Sequence, residues 1–210
     1  MIEYPKIETL FERDTSGSKK LIEGRFRNPA VEYLSGNVWS FTEKIDGTNV
    51  RIHWDGHKVE FAGRTDNAQI PKHLLEFLNN TFGTVEAEEL FEQKFGDTEV
   101  ILFGEGYGPK IQKGGLYRDD VSFILFDVLI GDVWLKRDAI EDIAQTFGID
   151  AVPVILEGTI DEAVGYVKSK PKSTFGTANM EGLVGRPAVD LLDRLGRRVI
   201  VKIKVRDFQT

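Results

Sequence analysis

The sequence contains no cysteine, which excludes disulfide staples, thiolate metal sites and cysteine nucleophiles and fits a reducing compartment. It also lacks any apolar run of the roughly 18 residues that a spanning helix needs, so no membrane association is expected. The N-terminus, Met1-Ile2-Glu3-Tyr4-Pro5-Lys6, places an acid and a proline where a secretory signal needs a basic and then an apolar stretch, and a cytoplasmic protein is expected. An excess of positive charge is missing too. With 27 Lys and Arg against 34 Asp and Glu the net charge is -7, so a polyanion could be held only by a local basic face. That weighs against a simple nucleic-acid-binding protein. No Pro/Gly/Ser-rich linker, low-complexity tract or repeat divides the 210 residues, and a single domain over 1–210 is the expectation.

What is present is ample core material, including 14 Phe, in strand-like and helix-like patterns. Val38 to Phe41, Val50 to Trp54 and Lys58 to Ala62 read as strands of a β-meander, the last two joined by a turn at Trp54-Asp55-Gly56-His57. Helical spacing predicts a helix over Pro71 to Phe82 and a weaker one over Glu86 to Lys94. Glu99 to Gly104 and Val121 to Ile130 are β-rich. Asp138 to Phe147 is an amphipathic helix stopped by Gly148, and Asp161 to Lys168 another, capped near Thr159. Arg198 to Val205 alternates so that Lys202 and Lys204 share one strand face. Strands and helices intermix without a regular βαβ rhythm, which predicts an α+β fold with antiparallel sheets.

Several polar residues sit where chemistry could use them. Lys44, in Glu43-Lys44-Ile45-Asp46-Gly47-Thr48-Asn49, would project from a strand end or tight loop. A lysine attacks only as the neutral amine, which neighbouring cations and desolvation favour. Asp46-Gly47 is equally a common hairpin dipeptide. Glu105 lies in a Gly-bracketed turn, Phe103-Gly104-Glu105-Gly106-Tyr107-Gly108, that leaves room for a ligand or is simply a loop. Phe126 reads by default as a strand core residue. Glu181 precedes a strand start at Gly182-Leu183-Val184, and Pro187 is expected to end that strand early. Lys202 and Lys204, on an otherwise apolar strand, call for an anionic partner unless they form a solvated face. The Gly-rich loop Tyr107 to Arg118 carries Lys110, Lys113 and Arg118, suited to an RNA strand or to solvent.

Taken in order, Lys44-x-Asp46-Gly47, Phe103-Gly104-Glu105-Gly106, Phe123-x-x-Phe126-Asp127, Glu181-Gly182-Leu183-Val184 and Lys202-x-Lys204 resemble the motif series of the covalent nucleotidyltransferase superfamily. That superfamily contains ATP-dependent DNA ligases, RNA ligases and mRNA-capping enzymes. The run Lys44 to Asn49, followed by Arg64 in Ala62-Gly63-Arg64-Thr65, is most similar to the T4 RNA ligase 2-like branch, over Phe41 to Val205. The resemblance implies an ATP-grasp-like core of two antiparallel β-sheets with flanking helices and the nucleotide in the cleft between them. It implies that Lys44 is the adenylated nucleophile, with Glu43 beside the adenine, Asn49 at the sugar or phosphates, and Arg64 at a phosphate or an RNA end. By the same likeness Glu105 accepts from the ribose, Phe126 lies flat on the adenine, Glu181 helps hold the metal, and Lys202 and Lys204 face the phosphates. ATP and Mg²⁺, with Mn²⁺ as an alternative, are the implied cofactors. RNA, as a nicked duplex or RNA/DNA hybrid, is the implied partner. A DNA ligase, a capping-type guanylyltransferase and a non-catalytic nucleic-acid-binding protein are the alternatives. Enzymes of this kind usually continue into an OB or helical C-terminal domain, yet only six residues follow Lys204. The expectation is that a partner protein supplies the missing substrate-binding domain.

Overall fold

The computed structural model describes residues 1–209. Its strands begin with β1 (Glu8–Thr9), β2 (Phe11–Arg13), β3 (Leu21–Phe26), β4 (Trp39–Lys44), β5 (Thr48–Trp54) and β6 (Val59–Ala62). They continue with β7 (Val100–Tyr107), β8 (Ser122–Ile130), β9 (Val133–Trp134), β10 (Asp150–Ala151), β11 (Val154–Gly158), β12 (Gly182–Pro187) and β13 (Val201–Lys204). The helices are α1 (Pro29–Tyr33), α2 (Lys72–Phe82), α3 (Val85–Phe95), α4 (Arg137–Thr146) and α5 (Ile160–Lys168). No helix among the described residues is long and apolar enough to cross a membrane. The fold is α+β with mainly antiparallel sheets, as the intermixed patterns predict.

The chain divides into two compact units. One joins Met1–Tyr4 to Asp46–Val152, and the other joins Pro5–Ile45 to the residues from Pro153 onward. Both are discontinuous in sequence, so no change of composition or linker could mark them.

The second unit contains a five-stranded sheet in the order β1-β13-β12-β4-β11 and a two-stranded sheet of β2 and β3. β12 runs antiparallel to β4 and β13, while β1 joins β13 in parallel. Along β4, Trp39, Phe41 and Glu43 are buried and alternate with half-buried Ser40, Thr42 and Lys44. The apolar face packs on Ile160, Ala163, Val164 and Val167 of α5. This helix starts on a capping box in which the Thr159 hydroxyl accepts from the Glu162 N–H and the Glu162 carboxylate accepts from the Thr159 N–H.

In the first unit β10-β8-β7-β5-β6 form the spine of a six-stranded sheet, with β9 pairing β8. Val50, Ile52, Trp54, Leu102, Phe123 and Leu125 point to one face, where Leu74, Leu78, Phe82 and Phe91 of α2 and α3 and Ile140 and Ile143 of α4 close the core. The opposite face carries Ile101, Phe103 and Leu129, covered by Met1, Tyr4, Phe126 and Trp134.

Four expectations change. β4 and β5 do not belong to one meander: β4 lies in the first-described sheet and β5 in the other, so only β5 and β6 form a hairpin. The C-terminal strand is confined to Val201–Lys204. Pro187 does not shorten β12, because at the strand's last position its missing N–H is not required, and it still pairs with Trp39. Finally, Phe103 to Tyr107 is strand rather than turn. A Cβ on Gly104 would stand 2.2 Å from Phe123 Cζ, and one on Gly106 2.3 Å from Leu74 Cδ2. The two glycines therefore serve close packing on the helix side, and Glu105 between them is turned to the opposite face.

Candidate functional site

In antiparallel pairing, residues directly opposite one another share a sheet face. Lys44 is opposite Gly182, and Gly182 is opposite Lys204. The next row holds Thr42, Val184 and Lys202. Val201 and Ile203 are buried and Lys202 and Lys204 half-buried, so both lysines lie on the face that carries Lys44, as the alternation predicts. Gly182, between Lys44 and Lys204, cannot be replaced freely, because a Cβ there would meet the Ile203 carbonyl oxygen at 2.1 Å. Glu181, just before it, bridges the row. One carboxylate oxygen accepts from Lys44 Nζ at 2.7 Å and the other from Lys204 Nζ at 2.7 Å. For Lys204, the anionic partner that an otherwise apolar strand requires is therefore present in the protein itself as Glu181, which it shares with Lys44.

Burial pushes the Glu181 carboxyl up, but the Lys44 charge and the hydrogen bonds from Lys204 and Lys44 outweigh it and hold the group below the usual carboxylate range. An ordinary glutamate titrates near 4.5. The stabilisation is thus fully present above that pH and is lost as pH falls through the lower folded value. Urea denaturation across the acid range should show Glu181→Gln losing less stability than wild type below pH 4.5. Equal acid slopes for the two proteins would mean that the bridge does not contribute.

Glu43, on the opposite face of β4, is almost fully buried. Its carboxylate accepts from the Ser173 and Thr174 hydroxyls and, at 3.0 Å, from the Thr174 N–H. The side chain anchors the 173–174 loop to the strand that ends in Lys44. Nothing local in the sequence pairs Glu43 with a loop 130 residues away.

Within the other unit, Asn49 of β5 is opposite Glu105 of β7, so the two share a face. Asn49 Oδ1 is buried and meets no donor among the described residues, an orphaned acceptor suited to a ligand's N–H or O–H. The preceding loop is tightly seated. A Cβ on Gly47 would lie 2.3 Å from the Gly106 carbonyl oxygen, and the Asp46 N–H donates to the Tyr117 hydroxyl at 3.2 Å. Gly47 thus admits another strand's backbone.

Phe126 stands at a β-bulge. Phe103 pairs with Asp127 but Gly104 pairs with Leu125, which leaves Phe126 as the extra residue of β8. Following Leu125 of the helix-side core, its ring lies on the face of Ile101, Phe103 and Leu129. Arg64 is exposed in the loop after β6. That loop is held by Arg51, fully buried, which donates to the Gly63 carbonyl at 2.8 Å and to Asp66 at 2.8 Å. Arg51 was hidden in sequence between Val50 and Ile52; a charge inside a strand core was its one signal.

Of the three loop cations, Lys110 and Lys113 are exposed, whereas Arg118 is tied down. It donates to Asp120 at 2.7 Å and to the Tyr107 hydroxyl at 3.2 Å, and it lies over the Tyr107 ring. Lys110 adopts φ 65°, a left-handed backbone unusual for a residue with a side chain. Among the described residues no three acidic or histidine side chains converge as a complete metal cage.

Solved structures of Naegleria gruberi RNA ligase share this fold. A mutant with AMP and Mn superposes with a TM-score of 0.64 at 20% identity, covering 95% of this chain and 59% of that one. The enzyme with PPi gives 0.63 and 19%, covering 95% and 59%, and a further mutant with ATP and Mn gives 0.62 and 18%, covering 95% and 58%. The chain therefore spans about three-fifths of the length of these proteins. The sequence model of the RNA ligase family matches residues 37–204, which contain Lys44, Glu105, Phe126, Glu181, Lys202 and Lys204, and the chain belongs to that family.

Proposed function

We propose that the protein is an ATP-dependent RNA ligase, with residues 1–210 acting as an ATP-grasp-like nucleotidyltransferase domain that joins a 5′-phosphate to a 3′-hydroxyl. The observation that carries this reading is the row in which Lys44 and Lys204 grip the two oxygens of Glu181. It supplies a reachable amine, a second cation for developing charge, and a carboxylate accustomed to cations.

Three in-line displacements follow. Neutral Lys44 Nζ attacks the α-phosphorus of ATP, a P–N bond forms, the P–O bond breaks and pyrophosphate leaves. An oxygen of the RNA 5′-phosphate then attacks the same phosphorus and releases Lys44. The RNA 3′-hydroxyl finally attacks the activated 5′-phosphorus, AMP departs, and the hydroxyl proton is lost to solvent or base. Lys202 and Lys204 offset the charge that grows on the α-phosphate and on the leaving group, which is the term positioning enzymes rely on most.

Glu181 fits a magnesium or manganese ion of the kind bound by one or two carboxylates, waters and substrate phosphates. Such an ion would add Lewis-acid neutralisation of phosphate charge. Glu105 is assigned to the ribose hydroxyls, Asn49 to the sugar or the phosphates, Phe126 to the adenine, and Arg64 to a phosphate or an RNA end. Glu43 would contribute through its main chain, since its carboxylate serves the 173–174 loop. Lys110 and Lys113 are proposed to contact the RNA backbone of a nicked duplex or RNA/DNA hybrid, with Arg118 shaping their loop and a partner protein adding further grip.

The test is an intact-mass measurement after incubation with magnesium and either ATP or GTP, followed by joining of a labelled nicked RNA duplex. An AMP adduct from ATP and a sealed product are expected. Adduct formation from GTP alone would establish the capping-type alternative, and sealing of nicked DNA in preference to RNA would establish the DNA ligase. If Phe126 stacks on the base, Phe126→Ala should raise KM for ATP about tenfold while Phe126→Leu raises it less, because apolar area carries most of the contact. Equal KM values for wild type and Phe126→Ala would return Phe126 to a packing role.

A further inference from the structure

Phe126 is the extra residue of a bulge, so no cross-strand neighbour stands directly opposite to hold it. A half-buried ring in that position takes its tilt from whatever packs beside it. The neighbour is Tyr4. Its ring meets Phe126 edge-on, with centroids 5.0 Å apart and planes at 78°. The same ring lies 5.1 Å from Phe103 and 5.6 Å from Trp134. Edge-to-face contact matches a positive ring edge to a negative ring face and so favours one tilt over others.

Tyr4 is itself fixed at both ends. Its hydroxyl donates to Asp127 Oδ2 at 2.7 Å, and Asp127 is fully buried, with its other oxygen accepting from the Val128 N–H. Behind the ring, the carbonyls of Met1 and Ile2 accept from the buried Arg51 at 2.9 and 3.2 Å. The segment Met1–Tyr4 belongs to the same compact unit as β8, although Pro5 begins the other. Four residues thus lie as a strap across the sheet face that carries Phe126, Asn49 and Glu105.

We infer that Tyr4 is a positioning residue for Phe126: anchored on Asp127, it sets the plane on which the purine of ATP stacks. This rests on the ligase reading proposed above. On that reading Tyr4 acts through the Phe126 ring and not on reacting atoms or phosphates, so its effect falls on nucleotide affinity and vanishes when there is no ring left to position.

The experiment is a mutant cycle on the whole chain, reading KM for ATP and kcat of self-adenylation together with thermal melting. Tyr4→Leu should raise KM roughly fivefold to tenfold, with kcat nearly unchanged. In the Phe126→Ala background the same substitution should change KM by less than about twofold, because coupled neighbours are not additive. Tyr4→Phe, which keeps the ring and loses the Asp127 bond, should raise KM about threefold. It carries the cycle if Tyr4→Leu does not fold. Additive changes in the double mutant, an unaltered KM, or a fall in kcat alone would overturn the inference. Wild-type protein that takes up no AMP would instead overturn the ligase reading, so the two failures are distinct.

Discussion

Lys44→Ala and Lys44→Arg are both expected to fold and to carry no AMP after incubation with ATP and magnesium. Alanine removes the amine proposed to attack. Arginine keeps the charge and the reach to Glu181, but its guanidinium does not deprotonate and so cannot attack phosphorus. Neither change opens a cavity, because Lys44 ends β4 with its side chain 23% exposed, and Glu181 retains Lys204. Removal of one partner leaves a carboxylate with a single ammonium, which makes melting in the alanine variant fall modestly and that in the arginine variant less. Intact mass resolves the adduct and peptide mapping locates it. An adduct on another lysine in either variant would sink the assignment, and an unfolded Lys44→Arg would show that the pair is structural first.

The second large effect is expected at Lys202 and Lys204. Each substitution to alanine should slow single-turnover adenylation on the order of a hundredfold or more, the usual loss when one preorganised charge donor is removed. The lysines occupy successive rows of the same face, opposite Gly182 and Val184, so they can meet different oxygens of one triphosphate. Loss at Lys204 should be the greater, since it also leaves Glu181 bonded to Lys44 alone. Pyrophosphate release followed at saturating ATP separates this from weaker binding. Rates within about threefold of wild type in both variants would show that the lysines do not neutralise phosphate charge and leave Lys204 as a partner of Glu181 only.

What could be read from sequence was what depends on local spacing. The two-residue period put Lys202 and Lys204 on one face, and a cap near Thr159 marked the start of α5. The helices over α2, α3 and α4 were legible for the same reason: their apolar residues repeat with the helical period. Pairing across the chain was not legible. β4 and β5 are separated by three residues yet lie in different sheets, and no local signal distinguishes that from a hairpin. The glycines around Glu105 suggested a turn because their real cause, Leu74 and Phe123 packed against the strand, lies elsewhere in the sequence. Motif order singled out Lys44, Glu105, Phe126 and Glu181 as candidates, whereas the contacts of Tyr4, Arg51 and Glu43 emerge only when distant segments meet.

Ser122 to Ile130 is an almost unbroken apolar run, yet its odd members Phe123 and Leu125 and its even member Val128 all enter the helix-side core. The bulge acts as a frame shift between two in-phase halves. Phe126 is the inserted letter: removing it would restore strict alternation and leave Phe123, Leu125 and Val128 facing the same way. Deleting Asn49 or Glu105, in strands without such a slip, would instead throw every following side chain to the wrong side. The sheet therefore holds Phe126, the ring proposed to stack on the base, in a position that can be lost without losing the frame of the core.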